Sequence, residues 1–364
     1  MNTIKTLLAL SLFTALPLSA EKENSLESRR AEIRSWFHDH VYGWPPAGIT
    51  TTLTWSEPAP SSPAVLSETG TLTFTGKDGQ KQEAQIKLYR PAKAEGPLPA
   101  VIFICNRSVT EMDFNTENQF WPMSQITERG WLTVAFNVKD VSHDRASEFA
   151  KDPGIIKLDN NPAGPHQGAA LSAWAFTANE IREHLIKRKD VDPKRIGVAG
   201  HSRGGKAALL TGVNYPGFAH TYSNNSGCGG SAQFRTTRGE KIADITKGFP
   251  NWFCTRFQDY RGKEDQLRYD QHHLLGLIAP RHVHVASASK DDWADPHAEY
   301  LTCQLASPLH QFQGVEGLKE ETKALPEPGH ARIGGSISYH LREGKHDLTP
   351  EDWHHFLSAA EARW

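Results

Sequence analysis

A serine set among glycines is the first chemically loaded feature of the chain: Gly200-His201-Ser202-Arg203-Gly204-Gly205. It follows an apolar run at residues 195–199 and leads into an Ala- and Leu-rich run at 206–210, so the spacing predicts a strand, a sharp turn and a helix, with the serine at the turn. In that context GxSxG presents a nucleophile, because small residues let the backbone bend tightly and lift the hydroxyl above the strand end. The bare pattern carries little, since with Gly and Ser each about 7% of residues it arises by chance in roughly one chain of this length in ten. The flanking strand and helix make Ser202 the candidate nucleophile.

A serine hydroxyl attacks a carbonyl only when a base takes its proton, so the pattern requires a histidine, and an acid to orient it, later in the chain. His346 fits: it lies in Gly344-Lys345-His346-Asp347, after the strand-like run 336–341 and before Thr349-Pro350, an N-cap and first-turn proline that mark a helix start. Spacing alone leaves His330, His340 and His354 open as well. For the acid, the run 282–286 leads into Ser287-Ala288-Ser289-Lys290-Asp291-Asp292-Trp293-Ala294-Asp295-Pro296. Position favours Asp291 or Asp292, whereas Asp295-Pro296 reads as the cap of the next helix; loop aspartates in general are solvated surface charges.

These loops need a frame, and the pattern supplies one. Residues 71–75 and 84–89 read as a hairpin and 100–105 as a buried parallel strand. A helical stretch at 120–129, a strand at 132–136, a long amphipathic helix at 169–187 and the strand 195–199 follow, with later strands at 219–223, 282–286 and 336–341. Alternating strands and helices predict an α/β fold whose central sheet is mostly parallel and carries helices on both faces.

The chain of 364 residues opens with Lys5, an apolar run at 7–18, Ser19-Ala20 and then Glu21-Lys22-Glu23, the pattern of a secretory signal peptide over residues 1–20. No later stretch approaches 18 apolar residues, so the expected protein is secreted or periplasmic and does not span a membrane. Residues 21–364 are expected to form a single domain, with an N-terminal arm over about 21–65 that joins it through a Pro- and Ser-rich surface loop at 57–63. The net charge of −2, made of interspersed signs, argues against a nucleic-acid partner. Cys105, Cys228, Cys254 and Cys303 could form up to two disulfides, and none is spaced as a CxxC zinc pair. His38-Asp39-His40 and His282-Val283-His284 would each put two histidines on one face of a strand, but without a third ligand no metal or other cofactor is expected.

Beyond the elbow, Asn225-Ser226-Gly227-Cys228-Gly229-Gly230, Trp293-Ala294-Asp295-Pro296, Gly344-Lys345-His346-Asp347, Val41-Tyr42-Gly43 and Asn251-Trp252-Phe253 together resemble the glucuronoyl esterases of carbohydrate esterase family 15, of the bacterial type, over nearly the whole chain after the leader. The resemblance implies an α/β-hydrolase fold and a metal-free serine esterase that cleaves, through an acyl-enzyme, the ester between 4-O-methylglucuronate of glucuronoxylan and lignin alcohols. It implies Ser202 as nucleophile, His346 as base, Asp291 as acid and Arg203 in the oxyanion hole. It also implies Lys206, Glu240 and Trp293 as contacts to the sugar. Fungal members carry a glutamate where this chain has Asn225, and a disulfide-forming cysteine where it has His201, so the acid role falls on the later loop. Each sugar contact has a physical rationale: Lys206 lies one helical turn past Ser202, Glu240 accepts from vicinal hydroxyls, and Trp293 offers an apolar ring.

The expected partner is thus a glucuronate ester of plant cell-wall polysaccharide, acted on by a monomer. Because GxSxG does not report which side of the ester carries the sugar, an acetylxylan esterase of the same fold is the nearer alternative; a carbohydrate-binding protein without turnover is the more distant one.

Overall fold

The computed structural model describes residues 20–107, 113–236, 238–319 and 323–364. The signal-peptide expectation falls almost wholly on residues 1–19, outside the described residues. Among the described residues, eleven strands form one open sheet: β1 (Thr50–Trp55), β2 (Ala59–Ser62), β3 (Val65–Thr75), β4 (Lys81–Pro91), β5 (Leu98–Cys105), β6 (Leu132–Asn137), β7 (Val191–His201), β8 (His220–Asn224), β9 (His282–Ala288), β10 (His330–Arg332) and β11 (Ile337–Arg342). Their order is β1-β3-β4-β6-β5-β7-β8-β9-β11-β10, with β2 on the flank of β3. The six strands from β6 to β11 in that order are parallel, while β1, β2, β3, β4 and β10 add antiparallel margins. This is the mostly parallel sheet that the alternation predicts, in keeping with the α/β-hydrolase fold that the resemblance implies.

β5 shows why the centre reads as continuous apolar sequence: every residue from Leu98 to Cys105 is buried. Ile102 and Ile104 point into the core that holds Trp174 and Leu209, and Val101 and Phe103 into the one that holds Trp121 and Trp353. A strand buried on both faces cannot alternate apolar with polar. The helices Ala170–Leu185, Arg203–Asn214 and Pro296–Phe312 pack on the first face, and Met123–Glu128 and Pro350–Glu361 on the second.

Several local expectations are corrected. Residues 57–63 are not simply a surface loop, since Ala59–Ser62 pairs with β3 as an exposed edge strand; its proline is tolerated because an edge leaves one side of the ladder unpaired. The arm before it is likewise part of the sheet through β1 on β3. His38 and His40 lie in a π-helical turn, His38–Tyr42, not on a strand face, and no cluster of three potential metal ligands occurs among the described residues. The four cysteines are all buried, with no disulfide among them. No described helix is long and apolar enough to cross a membrane.

The parallel register decides where loops meet. His201 at the end of β7 lies beside Asn224 at the end of β8, Asn224 beside Ala286 of β9, and Ala286 beside His340 of β11. The segments leaving these four strands therefore emerge side by side at the carboxyl edge, where open α/β sheets hold ligands.

Candidate active site

The turn after β7 is strained as the sequence requires. Ser202 has φ of +54°, a left-handed backbone that only a closely supported residue keeps, and its N–H donates to Asn224 O at 2.8 Å. A Cβ on Gly200 would lie 2.1 Å from Gly204 O, so no larger residue fits beneath the serine. Arg203 then opens the helix Arg203–Asn214, whose first-turn N–H groups have no intrahelical acceptor.

The loop after β9 turns back at once. Asp291 is nearly fully buried, and its Oδ2 accepts from His346 Nδ1 at 2.6 Å. That bond leaves Nε2 as the nitrogen available to a serine hydroxyl. The other candidates separate cleanly. Asp292 is exposed, and Asp295 caps Pro296–Phe312 by accepting from Ala298 N at 3.0 Å. Among the histidines, His330 is exposed, His354 contacts Arg129 on the far helix, and His340 is buried against Asp352. Asp347, beside His346 in sequence, pairs with Arg107 at 2.5 Å.

Ser202, Arg203, Lys206, Asn225, Glu240, Asp291, Trp293 and His346 line one cavity of about 340 Å³, together with Phe249 and Trp252. All seven site residues expected from the sequence are thus brought together. Lys206 is buried; its Nζ donates to Ser226 O at 2.5 Å and Cys228 O at 2.6 Å, and stands 3.8 Å from Glu240 Oε2. Burial pushes the Glu240 carboxyl up from its ordinary range, and the Lys206 ammonium opposes that rise. Glu240 reaches the cavity because its N–H is held by Trp293 O at 2.9 Å. Gly239, with φ of +63°, lets the two segments touch: a Cβ there would lie 2.8 Å from Trp293 O. Trp293 itself is 58% exposed and forms an apolar rim.

Four features of the site had no role assigned from the sequence. Asp144 Oδ2 pairs with Arg203 Nη2 at 2.8 Å, while Trp252 Nε1 donates to Asp144 Oδ1 at 3.0 Å. The Arg203 guanidinium is therefore aimed by a buried carboxylate; the only hint in the sequence was a polar segment shortly after a strand of the same sheet edge. Asn225, with φ of +45°, donates to Asp347 O at 3.0 Å, but its buried Oδ1 has no partner among the described residues. His201 is buried with its ring 4.5 Å from that of His346. Glu299, fully buried under the cavity wall, accepts from Gly227 N at 2.9 Å, Ser231 Oγ at 2.6 Å and Ser287 Oγ at 2.6 Å. Burial is the main cause that raises its carboxyl to about 7.

A serine on a strained turn that shares a cavity with a bonded histidine–aspartate pair suits acyl transfer, and comparison with known proteins narrows it. The family profile described as "Glucuronyl esterase, fungi" matches residues 74–314. A carbohydrate esterase from an unidentified prokaryote is 32% identical over 92% of this chain and 84% of its own length. The 4-O-methyl-glucuronoyl methylesterase of Podospora anserina is 28% identical over 77% of this chain, which spans 55% of that longer protein. Among solved structures, a glucuronoyl esterase from Solibacter usitatus superposes with a TM-score of 0.84 at 29% identity, covering 100% of this chain and 98% of that one. A promiscuous carbohydrate esterase of family 15 from a marine bacterial metagenome gives 0.80 at 30% identity, covering 95% and 94%.

Proposed function

This chain belongs to the glucuronoyl esterase family, carbohydrate esterase family 15, whose members are carboxylic ester hydrolases, and from that premise we propose that it cleaves esters of (4-O-methyl)glucuronic acid through an acyl-enzyme on Ser202. The observation that carries the reading is the 2.6 Å bond from His346 to Asp291 in the same cavity as Ser202, Lys206 and Glu240. A triad alone serves any ester; the buried ammonium and carboxylate beside it suit an acyl group that is itself a polyhydroxylated sugar.

The geometry supports the following steps. His346 Nε2 takes the proton of Ser202 as the hydroxyl oxygen attacks the uronate carbonyl, while Asp291 holds the imidazole in the tautomer with its proton on Nδ1 and stabilises the imidazolium. The first N–H groups of Arg203–Asn214 and the Arg203 guanidinium, held by Asp144, face the developing oxyanion. His346 returns the proton to the departing alcohol, then activates water to release the uronate. Glu240 accepts from sugar hydroxyls, Lys206 fixes the Glu240 charge and the loop carbonyls around the sugar, and Trp293 covers an apolar edge of the ring. The freed carboxylate lies near Arg203 and Lys206, so glucuronic acid is expected to inhibit.

In this reading the natural target is a glucuronate ester of plant cell-wall polysaccharide. One sheet that includes the arm strands supports treating residues 21–364 as one catalytic unit; in this reading it is exported to the periplasm or medium by its leader and acts as a monomer. Because the marine family member is a promiscuous esterase, acetylated xylan stays as the second reading. Purified enzyme should be assayed on benzyl and methyl glucuronate beside an acetylated xyloside. A higher kcat/KM on the uronates is expected; preference for the acetate would overturn the substrate assignment.

A further inference from the structure

The carboxylate of Asp352, fully buried in Pro350–Glu361, is the meeting point of two hydrogen-bonded arms that both end at His346. Its Oδ2 accepts from Arg342 Nε at 2.8 Å, Thr349 N at 2.8 Å and Thr349 Oγ1 at 2.9 Å. Its Oδ1 accepts from His340 Nε2 at 2.9 Å and Asn224 Nδ2 at 3.2 Å.

The first arm runs through Arg342, the last residue of β11. With Nε on Asp352, its Nη2 is directed to Lys345 O at 2.9 Å and Asp347 O at 3.2 Å, the carbonyls on either side of His346. A planar guanidinium whose one edge is fixed by a carboxylate has no freedom left at the other edge. The backbone carrying His346 is therefore clamped from within the sheet.

The second arm runs through Asn224. Because its amide nitrogen donates to Asp352, its Oδ1 must be the atom that faces His201 Nδ1 at 2.6 Å, and His201 carries its proton on Nδ1. His201 is thus held in one orientation between Phe120, edge-on at 5.4 Å, and the His346 ring at 4.5 Å. Burial, with the neighbouring His346, keeps His201 far below its ordinary pKa, so the imidazole wall beside the base is neutral.

The same logic extends inward. His340 donates from Nε2 to Asp352, so in its neutral form its Nδ1 accepts from His284 Nε2 at 2.7 Å; the buried Nδ1 of His284, without a partner among the described residues, is the unprotonated nitrogen this order requires. A single carboxylate thereby orients donors from β8, β11 and two buried histidines.

We propose that Asp352 is a positioning residue for the base: through Arg342 it fixes the main chain on both sides of His346, and through Asn224 it fixes the His201 ring on which His346 rests. The inference rests on the assignment of His346 as the base. Asp352→Asn replaces an acceptor facing Arg342 and Thr349 with a donor, which releases the Arg342 arm. Its kcat on methyl glucuronate should fall roughly a hundredfold, the size expected from an ångström-scale displacement of a catalytic group, with KM little changed. Arg342→Lys keeps the charge beside Asp352 but loses the carbonyl clamp; a loss of roughly tenfold in kcat is expected for an ordinary hydrogen-bond contribution. Ser338→Ala, which removes the partner of His282 in a separate buried pair, should lower the melting temperature and leave kcat unchanged.

Two readouts keep the proposal separate from the substrate reading: the rate at which phenylmethylsulfonyl fluoride modifies Ser202, which needs the base but not the sugar, and the downfield proton resonance of the His346–Asp291 bond. Both should weaken or broaden in Asp352→Asn and Arg342→Lys and stay intact in Ser338→Ala. If Asp352→Asn does not fold, Arg342→Lys decides alone. Unchanged kcat and sulfonylation in folded Arg342→Lys, or an equal loss in Ser338→Ala, would overturn the positioning role. Full turnover in His346→Ala would overturn the assignment of the base, and the inference with it.

Discussion

Ser202, Asp291 and His346 each stand within a few residues of the end of a parallel strand, whereas Glu240 comes from a long excursion after β8 and Trp293, further along the β9 loop than Asp291, stands exposed at the cavity rim. The first group inherits its spacing from strand register: β7, β8, β9 and β11 fix where their carboxyl ends lie, and the loops need only a few residues to place a side chain. The second group depends on loop-to-loop bonds, such as Glu240 N to Trp293 O, and on the buried neighbour Lys206. On the proposed function, the difference assigns ester chemistry to the sheet edge and acyl-group selection to the residues held by loop contacts. Substitutions on the first side should therefore lower kcat, and those on the second should mainly raise KM and blur discrimination.

The largest effect expected is that of Ser202→Ala, a loss of roughly 10⁶-fold in kcat on benzyl glucuronate with binding of glucuronic acid preserved. Asp291→Asn comes next: the amide holds the wrong tautomer of His346, and kcat should fall roughly 10⁴-fold, with Asp292→Asn near wild type. If Asp292→Asn is the damaging change, the acid is misassigned.

Glu299 lies at the seam between the two sides, linking Ser287 on β9 to Gly227 and Ser231 on the loop. Its carboxyl is raised from 4.5 to about 7 in the folded state, chiefly by burial, so the stability it contributes as a neutral group is fully present below about 4.5 and lost as pH rises through 7. Over that window wild type should lose about 3 kcal/mol relative to Glu299→Gln. Urea unfolding of both proteins at pH 5 and pH 8 measures it, and parallel pH dependences would contradict it.

On the loop side, Glu240→Gln should lower kcat/KM on methyl glucuronate roughly ten- to a hundredfold, chiefly through KM, because a charged acceptor for hydroxyls is lost. The acetylated xyloside should be little affected. Trp293→Ala is the mildest, raising KM roughly threefold for loss of an exposed ring contact. Losses in kcat from these two changes as large as that from Asp291→Asn would erase the division between the two sides.

How much of this was legible in the sequence follows the same division. The elbow, the buried strand β5 and the proline-led helix Pro350–Glu361 announce themselves through local rules, and register then carries Ser202, Asp291 and His346 together. The edge strand Ala59–Ser62 read as a loop because its proline and serines satisfy turn preferences as well as they do an unpaired margin. Asn224 and Glu299 gave no signal, Asp144 only a polar segment after β6, and Asp352 only its place as the capping partner of Thr349: the distant partners of a buried carboxylate or amide follow no spacing rule, and none connects residue 144 to 203 or 352 to 224. Lys206, Glu240 and Trp293 were reached only through family resemblance, since alone each reads as a surface or packing residue.

The most direct test of the central claim is to trap the covalent intermediate. Enzyme mixed with benzyl glucuronate, quenched in acid within the first turnover and digested, should carry a glucuronoyl group on the peptide containing Ser202, and Ser202→Ala should carry none. An adduct on any other residue, or acetyl in place of glucuronoyl when an acetylated xyloside competes at equal concentration, would contradict the account.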